Sequence, residues 1–96
     1  MGKEEKEVKT QKSILAEASA LVDGDRQEQY GSPAENMRDI ADLATKMIGH
    51  EFTAYEIAII MLCVKLGRLK YQWKRDTAVD ACGYLEIASR CKETEK

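Results

Sequence analysis

The stretch SPAENMRDIADLATKMIGHEFTAYE, residues 32–56, decides the fold class. Ser32 and Glu35 stand at the spacing of a capping box, and Pro33 falls at the first helical position, where its missing N–H costs nothing. Met37, Ile40, Ala41, Ala44 and Met47 then recur at helical spacing, which predicts a helix from Pro33 to about Ile48 with those residues on its inner face. Gly49 follows where a left-handed residue ends a helix. Thr53 and Glu56 repeat the capping-box spacing, so the chain stops one helix and starts the next within a few residues.

The same pattern extends in both directions. Residues 1–10, MGKEEKEVKT, are charged and lack an apolar face, which reads as a frayed lead-in. Ile14, Leu15, Ala18, Leu21 and Val22 recur at helical spacing from about Gln11 to Val22, until Asp23-Gly24-Asp25 stops the helix. Downstream, a third helix is expected from Ala54 to about Tyr71 and a fourth from about Asp76 to Cys91. The charged tail KETEK, residues 92–96, follows. No run alternates apolar and polar residues over strand length, and no segment repeats. The expectation is an all-α protein: a single-domain four-helix bundle over residues 11–91.

Ninety-six residues make one domain, because so short a chain cannot support two hydrophobic cores. Fifteen basic residues stand against 17 acidic ones, a net charge of −2. That balance gives no general electrostatic reason to bind duplex nucleic acid or an acidic membrane. The longest apolar run, Ile57 to Val64, is too short to span a bilayer. Cys63, Cys82 and Cys91 are odd in number and form no C-x-x-C pair; no stretch reads as a signal peptide. Reduced thiols in a cytoplasmic protein are therefore expected.

Between Ile57 and Val64 the third helix is apolar nearly all round, and such a helix must be covered on most sides. A homo-oligomer is therefore expected to cover it, the alternative being a compact bundle with this helix at its centre. The same helix carries Lys65 and Arg68, three apart and so on one face. Lys70, Lys74 and Arg75 continue the basic stretch, with Tyr71 and Trp73 interleaved. Cations suit phosphate and rings suit a base, which points to a nucleotide. The plain alternative is a solvated helix end whose cations complement the dipole.

Asp76 and Asp80 lie four apart at the start of the fourth helix. They can stabilise that start, pair with Lys65 or Arg68, or supply oxygens to Mg²⁺. Glu35 and Asp39 on the second helix share a face and complete a candidate metal set, although a capping glutamate is already occupied. Upstream, the loop DGDRQEQYG brings Arg26 and Tyr30 to a helix start that can receive an anion, or it simply connects two helices. His50, the single histidine, follows a helix-ending glycine and suits a surface role. Gly83, inside the fourth helix, costs stability there and leaves room for a close helix crossing or a ligand. No P-loop, dinucleotide fingerprint or zinc spacing is present.

GDRQEQYGSPAEN, IADL, MLCVKLGRL and RDTAVDACGYLEIA, in that order, resemble a family of small helical proteins encoded by bacteriophages and prophages. That family shows G-D-R-x-x-x-Y-G-x-P-x-x-N, a central helix with K-x-x-R, and D-x-x-x-D-x-x-G-Y near its end. The resemblance covers roughly residues 14–90 and implies a helical fold, a phage setting and no assigned reaction. More distantly, the chain is similar to helical proteins of phage nucleotide modification and to MazG-type pyrophosphohydrolases. In the latter, E-E-x-x-E and E-x-x-D motifs hold Mg²⁺. Here Glu35 lacks an adjacent glutamate, and Asp76 and Asp80 stand four apart instead of three.

The functional expectation is a nucleotide-binding protein without catalysis, of the kind that sequesters a cyclic nucleotide signal of bacterial immunity in the host cytoplasm. Arg26, Lys65 and Arg68 would hold phosphate, Tyr30, Tyr71 or Trp73 would stack, and Asp76 and Asp80 would orient the cations or read base edges. This reading needs no cofactor. Two alternatives remain. One is a Mg²⁺-dependent pyrophosphohydrolase using Glu35, Asp39, Asp76 and Asp80; the other is an interaction module with no small ligand.

Overall fold

A computed structural model describes residues 13–24 and 31–95. Four helices make up the fold: α1 (Ile14–Asp23), α2 (Pro33–Ile48), α3 (Ala54–Tyr71) and α4 (Arg75–Thr94). No strand occurs among the described residues. No helix is long and apolar enough to cross a membrane.

The helix boundaries follow from local chemistry. Ser13 Oγ accepts the Ala16 N–H at 3.0 Å to start α1, and Ser32 Oγ accepts the Glu35 N–H at 3.2 Å to start α2. Gly49 ends α2 with φ of 82°, a left-handed conformation that costs other residues about 1–2 kcal/mol. The second capping box is complete: Thr53 Oγ1 accepts the Glu56 N–H at 3.1 Å, and Glu56 Oε1 accepts the Thr53 N–H at 2.9 Å. Both predicted boundaries of α2 and of α3 match the structure.

The last helix departs from expectation. It runs to Thr94, past Cys91, and the residues read as a charged tail dock onto the start of α3. Glu95 Oε1 accepts the Tyr55 N–H at 3.0 Å, which satisfies one of the free donors of that helix start. Lys92 Nζ sits 4.6 Å from the centre of the Tyr55 ring. The start of α3 therefore meets the end of α4, and the two form an antiparallel hairpin joined by Gln72-Trp73-Lys74.

The contacts put α4 at the centre. It packs along α3 and along α1 and touches α2, whereas α2 rests chiefly on α3. Its buried residues, among them Ala78, Val79, Tyr84, Ile87, Ala88 and Cys91, outnumber those of any other helix. Met37 and Ile87, 2% and 3% exposed, each contribute about 1.5–3 kcal/mol through burial of their side chains. α1 lies parallel to α4, held by Glu17 to Arg75 near both starts and by Asp23 to Arg90 further along. That second pair is a fork: Arg90 Nη1 donates to Asp23 Oδ1 at 2.7 Å and Nη2 donates to Oδ2 at 3.2 Å.

Two expectations about faces need correction. α3 is not the central helix: it buries Ala54, Ile57 and Ala58 but leaves Ile60 44% and Val64 42% exposed. Met47 does not join the inner face of α2; it is 85% exposed, because α2 meets α3 through Met37 and Ala41, with Ile40 and Ala44 partly covered beside them. Gly83 faces α1, and a Cβ there would sit 3.5 Å from Val22 Cγ2, an ordinary contact. The cavity beside it holds about 20 Å³, the space of roughly one water and no larger ligand.

Candidate anion-binding groove

The open end of the α3–α4 hairpin is where the chain's chemistry gathers. α3 ends as Gln72 turns to extended backbone, its N–H donating to Arg68 O at 3.0 Å. Two residues later Lys74 stands at the cap position of α4, the one described helix start that receives no side-chain cap. The first N–H groups and the positive end of a 20-residue helix are thus left without a side-chain acceptor there.

Beside this start lies an open groove lined by Val64, Gly67, Arg68, Tyr71, Gln72, Lys74 and Thr77, with a volume of about 640 Å³. That volume falls within the roughly 300–1,000 Å³ usual for small-molecule sites. Arg68 enters it from α3 and Lys74 from the connection just before α4, and neither makes an ion pair among the described residues. Tyr71 is 91% exposed on its wall, and Trp73, 64% exposed, stands on the connection next to it. Gln72 and Thr77 add neutral donors and acceptors. Two cations, an uncapped helix start and an exposed ring can together engage a phosphate and a base.

The remaining residues singled out from the sequence fall elsewhere. Lys65 Nζ lies 3.1 Å from Asp80 Oδ2, with the two side chains 16% and 33% exposed. This is one of the pairings expected for Asp80, and it spans α3 and α4 one turn inside the groove. Lys65 is thereby taken up by a carboxylate, while Asp80 borders the small cavity against α1. Asp76 sits exposed in the first turn of α4, outside the groove lining. Arg26 and Tyr30 lie outside the described residues.

The carboxylates considered for Mg²⁺ do not converge. Glu35 and Asp39 stand on α2, Asp76 and Asp80 on α4, and no three His, Cys, Asp or Glu side chains gather as a metal site among the described residues. The sequence reading undervalued Lys74 and missed Gln72, Thr77 and Gly67. For Lys74 and Thr77 the available signal is a helix start whose cap position is a lysine in place of Ser, Thr, Asp or Asn.

Fold and groove together define an all-helical domain with a cationic corner. Residues 13–92 match the model of a domain of unknown function, DUF6378, and the chain belongs to that family. It is 37% identical over 82 residues to the Gene 55 protein of Mycobacterium phage D29, and 33% identical over 85 residues to the Gene 55 protein of Mycobacterium phage L5. The two alignments cover 84% and 86% of this chain and 54% of each relative. The chain thus spans about half the length of the curated relatives it matches. Both relatives are phage proteins, in agreement with the phage setting expected from the motifs. No solved structure matches the chain significantly.

Proposed function

We propose that this domain binds a nucleotide-type ligand in the α3–α4 groove and holds it without chemical change, sequestering a nucleotide signal such as a cyclic one used in bacterial immunity. One observation carries the reading: Arg68 and Lys74, both without ion-pair partners among the described residues, line one groove with Tyr71 at an uncapped helix start. Exposed cations without an ion-pair partner among the described residues are available to phosphate. The phage relatives supply the setting in which such a sponge would act.

The phosphate contacts belong to Arg68 and Lys74, with Trp73 and Tyr71 as stacking surfaces; Lys65 is assigned to holding α3 on α4 through Asp80. A hydrolase would require a metal set that Glu35, Asp39, Asp76 and Asp80 do not assemble. The test is a thermal-shift and calorimetry panel of linear nucleotides and cyclic di- and trinucleotides, with and without Mg²⁺, followed by recovery of the ligand. A specific shift, with the nucleotide returned intact and affinity lowered at least tenfold in Arg68→Ala, is expected. Cleavage of the nucleotide in Mg²⁺ would overturn sequestration. No shift with any nucleotide would overturn binding and leave an interaction module.

A further inference from the structure

α3 carries a face that the fold leaves bare. Around its axis Glu56, Ile60, Cys63, Val64, Gly67, Lys70 and Tyr71 fall on one side, opposite Ala54 and Ala58, and all seven are exposed. The apolar middle of this face, Ile60, Cys63 and Val64, is the portion of the helix that sequence alone requires to be covered.

Gly67 is the most telling member. A glycine inside a helix costs about 1 kcal/mol relative to alanine. Among the described residues nothing repays that cost, because a Cβ added at Gly67 would meet no atom within 4 Å. The space in front of it is open to a partner surface.

The face is also complementary to itself. Glu56 and Lys70 both lie seven residues from Cys63, one on either side, and neither makes an ion pair among the described residues. A two-fold axis near Cys63 sets α3 antiparallel to α3 of a second copy. It then brings Glu56 of each copy to Lys70 of the other and Ile60 of each onto Gly67 of the other. Glu56 spends one oxygen on the Thr53 N–H, and its second oxygen remains for Lys70. We propose that the chain forms a two-fold symmetric homodimer through this face of α3, with Gly67 as the point of closest helix approach.

The dimer face shares Val64, Gly67 and Tyr71 with the groove, so the second copy would form one of its walls, and measuring association without nucleotide separates the dimer from the ligand reading. Residues 1–12 of the same chain are the competing cover, and they would leave the protein a monomer.

Sedimentation equilibrium of the full chain without nucleotide tests this directly. A dimer is expected, its dissociation constant raised at least tenfold by Gly67→Leu, which fits open space in the monomer, and by Ile60→Arg. Circular dichroism of both variants should remain that of the folded protein. A short bis-maleimide should link two copies of the Cys82→Ser/Cys91→Ser variant through Cys63 and fail with Cys63→Ser. A wild type that stays monomeric at millimolar concentration overturns the proposal. So does a dimer that Gly67→Leu and Ile60→Arg leave intact or that the bis-maleimide fails to link through Cys63.

Discussion

The two corners of this molecule are built in opposite ways. At the α2–α3 corner the donors at both helix ends find acceptors: Gly49 N–H donates to Thr45 O, Phe52 N–H to Thr45 Oγ1 at 3.0 Å, and Thr53 and Glu56 cap each other. Thr45 Oγ1 also donates to Ala41 O at 2.7 Å, so one hydroxyl ties the end of α2 to the turn that follows. At the α3–α4 corner the next helix starts without a side-chain cap, two cations lack ion-pair partners among the described residues and two aromatic rings are exposed. A closed corner serves the fold. An open corner leaves its polar groups available to a ligand, which is what the proposed binding at this end of the hairpin draws on.

The sharpest break of that contrast is Arg68→Ala combined with Lys74→Ala. Nucleotide affinity should fall more than tenfold while unfolding free energy stays within about 0.5 kcal/mol, as for surface sites that support no packing. Calorimetry and urea denaturation read the two quantities separately. Thr45→Val attacks the closed corner instead. It leaves the Phe52 N–H without its acceptor and should cost about 1–3 kcal/mol in urea unfolding, with ligand affinity unchanged.

Gly49→Ala forces a side chain into a left-handed position and should cost about 1–2 kcal/mol in the same measurement. Gly83→Ala should act in the other direction. Its Cβ meets Val22 at ordinary contact distance, so gained helix propensity raises stability by up to about 1 kcal/mol.

The smallest effect concerns pH. Arg90 donates to Asp23 and holds its carboxyl below 3.8, so the stabilisation is fully present above that value and is lost as pH falls through the lower folded-state value. Burial pushes the Cys91 thiol above 9.0, so its contribution is complete below pH 9.0 and is lost as pH rises through the folded-state value. Arg90→Lys should shrink the acid-side loss in a pH series of thermal melts, because lysine cannot supply the fork.

Much of the fold was legible because its signals are local. A cap requires a hydroxyl three residues from an N–H and a terminator requires one glycine, so Ser32, Gly49 and Thr53 placed α2 and α3 from sequence alone. The α4 terminus was not legible, because Glu95 finds its partner at Tyr55, forty residues away in the chain. The candidate site divides along the same line. Arg68 and Tyr71 were visible as a basic and aromatic run, but only packing separates Lys65, paired with Asp80, from Arg68 and Lys74, which have no ion-pair partner among the described residues.

By itself, the sequence determined an all-helical domain, two helices to the residue, and a basic, aromatic segment between the third and fourth. Tertiary structure alone decided that α4 is the central helix, that α3 keeps a bare apolar face around Gly67, and that the cations divide between a bridge and a groove. The physical reason is range. Helix starts and stops are set by bonds between residues three or four apart, whereas which face is covered depends on elements that meet only after the chain has folded.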